Sequence, residues 1–322
     1  MPKISIITGY YNRGDKLERT LESLRLQNYE DYEIIVFDDA STDDTCDRLV
    51  AYAEMHPAAP IKLRHHTKNI GFVQGMIEAI ADSDSKYIAV QGSGDTAHPD
   101  RLRHQAAILD SVPEVVAVGC WYHSVTEISG SRQPRRLNSD DSTFDTLVSS
   151  GPPFTHGEVM MRRSAYESAG GYRSAFTFCQ DYDLWLRMIQ IGEFRTVPKY
   201  LYDRYTLSDG VSYKPSKRAL QERYALLARL LATCPKNEVA STLKRLETEG
   251  PEALVPLEHP ELQKRMFRAA VASIAWENTD AARSITRDYL VGFRRQQTAR
   301  AVQVLCNNAA GRRLLKKLAS GQ

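Results

Sequence analysis

Two acidic clusters stand directly after apolar runs with the length and composition of strands: Asp38-Asp39 after Ile34–Phe37, and Ser93-Gly94-Asp95 after Tyr87–Val90. In an open parallel sheet, ligands bind beyond the carboxyl ends of strands, so carboxylates placed there can accept hydrogen bonds from a polar ligand or hold a cation. Asp and Gly also form turns after any strand, and each cluster taken alone fits that reading. Their joint occurrence at one sheet edge is what points to a ligand site. A third carboxylate, Asp181, precedes the helical run Tyr182, Leu184, Trp185 and Met188, where it reads as a helix N-cap. Metal and disulfide chemistry have no matching pattern. Cys46, Cys120, Cys179, Cys234 and Cys306 are scattered with no Cys-x-x-Cys pair, and the eight histidines, including His65-His66, contain no His-x-x-x-His.

The elements that must position these groups alternate between strand and helix through residues 1–215, the pattern of a largely parallel sheet covered by helices. Ile4–Thr8 reads as the first strand, and Leu17, Leu21 and Leu24 then share one helical face. Glu33–Phe37 is the second strand, and Ser41 with Asp44 resembles an N-cap arrangement opening a helix through Leu49 and Tyr52. Ile61–Arg64, a helix around Met76–Ala81, Lys86–Val90, a helix over Asp100–Asp110, and Val115–Val118 continue the alternation. From Pro215 the strand signals stop. Ala219–Cys234, Glu261–Trp276, Ile285–Phe293 and Ala299–Leu318 suit helices, broken by Pro235, Gly250-Pro251, Pro256 and Pro260.

The 322 residues carry 42% hydrophobic and 25% charged side chains, ordinary globular values that exclude collagen-like or low-complexity chains. No stretch approaches the ~18 uninterrupted apolar residues of a membrane span, and Met1-Pro2-Lys3 leads into Ile4 without a signal-peptide layout, so a cytoplasmic protein is expected. Net charge is +2, unevenly divided: residues 216–322 hold +9 and residues 1–215 hold −7. After Asp288 there is no acidic residue, while Arg294, Arg295, Arg300, Arg312, Arg313, Lys316 and Lys317 interleave with leucines. A solvated helical face is one reading of that stretch; contact with anionic lipid on the inner membrane face, or with another subunit, is the other.

Seven segments in order carry a resemblance. They are Thr8-Gly9-Tyr10-Tyr11-Asn12-Arg13, Leu21-Glu22-Ser23-Leu24-x-x-Gln27, Phe37-Asp38-Asp39-Ala40-Ser41-Thr42-Asp43, Asn69-x-Gly71, Asp95-x-x-x-Pro99-Asp100-Arg101-Leu102, Gly170-Gly171-Tyr172, and Gln180-Asp181-Tyr182-Asp183-Leu184-Trp185-Leu186-Arg187. Together they resemble the signatures of family 2 glycosyltransferases, inverting enzymes of the GT-A fold, over about residues 3–212. The resemblance implies a GT-A type, mostly parallel α/β nucleotide-binding sheet flanked by helices over 1–215; it does not cover 216–322, which composition and pattern read as a basic helical appendage.

By the same resemblance Tyr11 stacks on a nucleobase and Asp39 accepts from a pyrimidine imide N–H. An aromatic face and a carboxylate suit those tasks. Asp38 supports the loop or the ribose, Asn69 and Gly71 run beside the nucleotide, and Thr8, Gly9, Arg13, Ser93, Gly94 and Asp95 complete the nucleotide-binding set. The family's metal motif corresponds to Gly92-Ser93-Gly94-Asp95, which keeps one carboxylate, so a Mn²⁺ or Mg²⁺ would rest on Asp95. A metal-independent site would need cationic help, with Arg13 or Arg64 as candidates. Asp181 matches the catalytic base, with Gln180 in place of the preceding acid, and His156 and Gln180 fall on the acceptor side. The loop ending near Ser212 has Leu207 at the family's later His position, which leaves Arg204, Tyr205 or Ser212 for a phosphate contact.

The expectation is therefore an inverting hexosyltransferase moving a sugar from a nucleoside diphosphate donor, UDP-linked, to a hydroxyl of a glycan or lipid-linked glycan. Nucleic acid is not an expected partner. A GT-A-like nucleotide-binding scaffold without turnover is the alternative, motivated by Gly94 and Gln180 at two acidic positions; retention of Asp39 and Asp181 speaks against it.

Overall fold

A computed structural model describes residues 2–206, 214–275, 278–292 and 297. The chain divides into two compact units, Met1–Leu207 and Ser208–Gln322.

The first unit is built on a sheet that begins parallel. Strands β1 (Ile4–Tyr10), β2 (Tyr32–Asp38), β3 (Ile61–His65) and β4 (Tyr87–Val90) are linked by the helices α1 (Leu17–Arg25), α2 (Thr45–Met55) and α3 (Phe72–Ala81). The side chains of β1, β2 and β4 are buried and largely apolar on both faces because helices cover both, whereas the edge strand β3 alternates Ile61 and Leu63 with Lys62 and Arg64. Ile4, Ile6, Ile34 and Val36 pack with Leu17, Leu21, Leu24 and Leu49, while the alternate residues Ile7, Ile35 and Ile88 are buried on the opposite face. Register sets the site edge: Tyr10 pairs with Asp38, Asp38 with His65, and Ile7 with Val90. The residues that follow these strands, Tyr11, Asp39, His66 and Gln91, therefore emerge at one edge.

The second half of the sheet is mixed. After β5 (Thr96–Ala97) and α4 (Arg101–Ser111) come β6 (Val115–Thr126), β7 (Arg132–Arg135), α5 (Phe144–Ser150), β8 (Met160–Arg162), α6 (Arg163–Ser168), α7 (Gln180–Met188) and β9 (Glu193–Thr206). The strand order is β3-β2-β1-β4-β8-β6-β9-β5, with β7 on β6. Because β8 runs antiparallel to β4, with Ala89 opposite Met160, the segment entering β8 reaches the carboxyl end of β4. The long β9 runs parallel to β6 and antiparallel to β5, with Ala97 opposite Tyr202.

Ser41 does not cap α2. Its hydroxyl and its N–H go to the Asp38 carboxylate instead, and the helix opens at Thr45. A nearby carboxylate outcompetes the helix for the same short side chain.

The second unit is helical: α8 (Pro215–Thr233), α9 (Lys236–Glu249), α10 (Pro251–Leu254), α11 (Pro260–Ala275) and α12 (Thr279–Asp288). Proline at the first position of α8 and α10 is preorganised for a helix start. Leu227, Leu231, Leu262, Met266 and Ile285 are buried, and Gln263 donates to the carbonyls of Leu257 and Tyr289. No helix among the described residues is long and apolar enough to cross a membrane. The basic residues from Arg294 onward, the expected helix over 299–318, Leu207 and Ser212 lie outside the described residues.

Candidate active site

Asp39 lies just beyond β2, 3% exposed, and both oxygens of its carboxylate accept hydrogen bonds, with acceptor capacity left on Oδ2. Oδ1 accepts from the Ile70 N–H at 2.8 Å and faces His66 Nδ1 at 3.0 Å, and Oδ2 accepts from the Gly71 N–H at 2.9 Å. The Asn69 side-chain amide donates to the Asp39 carbonyl at 3.1 Å, so the Asn69–Gly71 segment is fastened to this one residue. Gly71 has φ +86°, a conformation that favours glycine, and it leads directly into α3. The Asp39 N–H in turn donates to the Tyr10 carbonyl, which brings Tyr11 alongside. Tyr11 is 47% exposed, an unusual state for a ring at a sheet edge, and the left-handed Asn12 (φ +51°) bonded to Thr42 fixes the turn behind it. An exposed aromatic face beside a buried carboxylate suits a flat heterocycle with a donor edge. Thr8 and Gly9 are inside β1; a Cβ on Gly9 would overlap the Phe37 ring, so this glycine makes room for packing.

A second turn, Gly92–Asp95, follows β4. The Gly94 N–H and the Asp95 carbonyl both bond the Thr20 hydroxyl, at 2.9 Å each, which anchors the turn on α1. Asp95 is half-buried, with Oδ2 accepting from the Tyr202 hydroxyl at 2.7 Å and Oδ1 from the Tyr205 N–H at 2.8 Å. Burial pushes its carboxyl pKa up, against those two hydrogen bonds. Cations surround the turn. Arg13 donates to the Ser93 carbonyl at 3.1 Å, and Arg19 donates to the Gly94 carbonyl and stacks over the Tyr205 ring at 4.0 Å. Arg19 Nη2 is buried with no acceptor, and Gly94 (φ +103°) lies against it and against Lys16.

These groups do not make a hard-cation site at the turn. Mn²⁺ and Mg²⁺ take several oxygen ligands, and here a single carboxylate already accepts two donors amid a buried donor that lacks an acceptor. Arg64, the other cationic candidate, is committed to Glu78 and Asp82. Among the described residues, three metal-type donors come within 4.8 Å of one another at Asp38, Cys46 and His65, with Cys46 Sγ 3.3 Å from His65 Nδ1. That set stands on β2, β3 and α2, and a thiol with an imidazole favours a softer ion than Mg²⁺ or Mn²⁺.

Asp181 occupies the first turn of α7, half-buried. It is not the cap: Cys179, in the left-handed region at φ +54°, holds that position, and the Asp181 carboxylate accepts from the adjacent Tyr182 N–H at 2.9 Å. Two residues on, Asp183 is 2% exposed and paired with Arg173 at 2.8 Å and Arg187 at 2.6 Å. Arg187 also donates to the Ala169 carbonyl, which ties the Gly170-Gly171-Tyr172 turn to the helix. From that turn the Tyr172 hydroxyl meets His156 Nε2 at 2.7 Å. Burial lowers the His156 pKa, and the charge of Asp181 acts in the opposite direction. His156 also packs edge-on to Phe72, the first residue of α3, at 5.8 Å.

The parts form one edge. Phe72 connects the Asp39 segment to His156; Gly157, whose Cβ would overlap the Tyr202 hydroxyl and come 3.3 Å from the Gly92 nitrogen, connects His156 to the Asp95 turn. Glu158, fully buried, accepts from the Thr155 N–H at 2.6 Å and braces the same segment, its carboxyl pushed up to about 7 by burial. Gln180 is half-buried beside Asp181. Sequence reasoning did not single out His66, Phe72, Tyr202 or Thr20. A hydroxyl or ring supplied from a distant strand has no local pattern to reveal it.

Residues 5–170 match the family model described as Glycosyl transferase family 2. EpsE of Bacillus subtilis (strain 168), which bears a glycosyltransferase name, is 36% identical over 193 residues, covering 59% of this chain and 68% of that protein. The amylovoran biosynthesis glycosyltransferase AmsE of Erwinia amylovora is 26% identical over 191 residues, 58% of this chain and 70% of that protein. Among solved structures, S. aureus TarS (residues 1–349), also solved with UDP and with UDP-GlcNAc, superposes with TM-score 0.57 at 16% identity, over 99% of this chain and 92% of that one. The mannosyltransferase PcManGT from Pyrobaculum calidifontis, solved with GDP-Man and Mn²⁺, gives 0.56 at 19% identity, over 98% and 87%. The last two likenesses are of fold, and the GT-A architecture expected from the sequence is the one observed.

Proposed function

Because this chain belongs to glycosyl transferase family 2, we propose that it transfers a hexosyl group from a UDP-sugar to a hydroxyl of a glycan or glycolipid, with inversion, in the assembly of a polysaccharide. The observation that carries this reading is the single sheet edge holding an exposed Tyr11 ring, the buried Asp39 carboxylate and the half-buried Asp181. The name of AmsE supports a polysaccharide product, and the UDP-GlcNAc complex of TarS supports a uridine donor.

In this reading the base lies against Tyr11 with its imide N–H toward Asp39, and the Asn69–Gly71 backbone runs along the nucleoside. The acceptor enters past His156, Tyr172 and Gln180. Its hydroxyl oxygen bonds the anomeric carbon as the bond from that carbon to the phosphate oxygen breaks; the hydroxyl proton passes to Asp181 and UDP departs with the electron pair. Attack opposite the leaving group turns an α-linked donor into a β-glycoside. Asp181 fits a base because it carries no cationic partner among the described residues, whereas Asp183 is held by two arginines and cannot take that role. No divalent ion enters these steps, since the Asp95 turn does not fit one. The basic C-terminal residues, on this reading, hold a cytoplasmic enzyme near an anionic membrane or another subunit.

Hydrolysis of a panel of UDP-, GDP-, dTDP- and CDP-sugars tests the donor class directly. Turnover confined to uridine donors is expected; no turnover of any sugar nucleotide, with or without Mn²⁺, would favour the scaffold reading.

A further inference from the structure

The turn where a divalent metal was expected to rest on Asp95 is ringed by positive charge. Lys16 and Arg19 are spoken for: Lys16 pairs with Asp15 and Glu127, and Arg19 Nη1 meets Glu127 at 2.9 Å. Two further guanidinium groups have no carboxylate partner among the described residues. Arg13 reaches the Ser93 carbonyl and has no carboxylate within ion-pair distance among the described residues. Arg204 on β9 is exposed, likewise without such a carboxylate among the described residues; its guanidinium meets the Tyr122 side chain and is close enough for its charge to act on Asp95.

Strand geometry fixes which way Arg204 faces. Residues two apart on a strand share a side. Tyr202 sends its hydroxyl to Asp95, and Asp203 points to the other face, where it pairs with Arg132 and His123. Arg204 therefore projects on the Asp95 side, while Arg13 reaches the same turn at the Ser93 carbonyl. The next residue is the glycine at position 94, whose missing side chain leaves Arg19 and Lys16 as its neighbours. Counting Asp15, Glu127 and Asp95 against Lys16, Arg19, Arg13 and Arg204, the turn retains an excess of positive charge, which repels a divalent cation and attracts a polyanion.

We propose that Arg13 and Arg204 clamp the diphosphate of the donor and stabilise the departing nucleoside diphosphate in place of a divalent metal. Guanidinium groups suit this task because their forked donors match phosphate oxygens and stay charged at any working pH. The inference rests on the nucleotide-sugar reading above. Asp95 then serves as a positioning residue: through the Tyr205 N–H and the Tyr202 hydroxyl it holds the end of β9, and with it Arg204, against the turn.

The test is titration calorimetry of UDP and of uridine on the full chain, with EDTA and with Mn²⁺. UDP is expected to bind in EDTA within about threefold of its affinity in Mn²⁺. Arg13→Gln and Arg204→Gln should each lower the UDP-to-uridine affinity ratio by about tenfold or more, with uridine itself unchanged, since each removes a charge-assisted hydrogen bond to the diphosphate. Arg13→Lys should recover part of that loss. Loss of UDP binding in EDTA, or an unchanged ratio in both glutamine variants, would overturn the clamp and leave the transferase reading standing. Failure of UDP and uridine alike to bind would overturn both.

Discussion

At the residue scale, Asp39 shows how one side chain can serve fold and ligand together. From sequence it reads as a ligand group after a strand, but its oxygens also satisfy two backbone amides, of Ile70 and Gly71, that would otherwise be left without acceptors. Asp39→Ala should therefore weaken uridine binding by about tenfold or more and also lower unfolding free energy by ~1–3 kcal/mol, as expected for stranded buried donors. Calorimetry and urea denaturation measure the two effects; unchanged uridine affinity would remove Asp39 from the base pocket. The carboxylates were legible because Asp after a strand is a local pattern. Tyr202 was not, because its hydroxyl comes to Asp95 from 107 positions away. His66 was visible only as half of a histidine pair, and its approach to Asp39 depends on the register of β2 with β3.

Elements with a buried apolar face were readable along the chain, and those without one were not. The four parallel strands and the helices carrying Leu17–Leu24 and Leu49 fall close to where the apolar periodicity puts them. The strand β7 is exposed at every residue and exists by pairing with β6, and β5 is two residues long; neither leaves a hydrophobic trace. The helix α9 has one buried residue, Leu246, and escaped notice for the same reason. The segment before β8 matters most for function, since it carries His156 and Gly157 between the Asp39 and Asp95 turns. Its close approach depends on glycine: Gly157→Ala places a methyl group on the Tyr202 hydroxyl and should displace that segment. We expect a loss of ~1–3 kcal/mol in stability, typical of overpacking, together with reduced donor turnover. A variant with wild-type melting and turnover would show that the two turns are not held together through this contact.

Over the whole molecule, the described groups with a chemical reading belong to the first unit. Charge follows the same division, with −7 over residues 1–215 and +9 over 216–322, so chemistry and the basic excess are carried by different parts of the chain. The change from strand-helix alternation to helices alone was plain in the sequence because the short apolar runs of strands stop while the 3.6-residue period continues. What that period could not supply was the mixed second half of the sheet, where β8 and β9 bring His156 and Tyr202 to an edge founded by parallel strands. The central claim is inverting transfer with Asp181 as base. Proton NMR of the sugar first released from an α-linked UDP-sugar, with water as acceptor, tests it in wild-type protein and in Asp181→Asn. The account predicts initial β-anomer, and release slowed on the order of 10²-fold in the variant with UDP affinity kept; initial α-anomer, or equal rates in the two proteins, would contradict it.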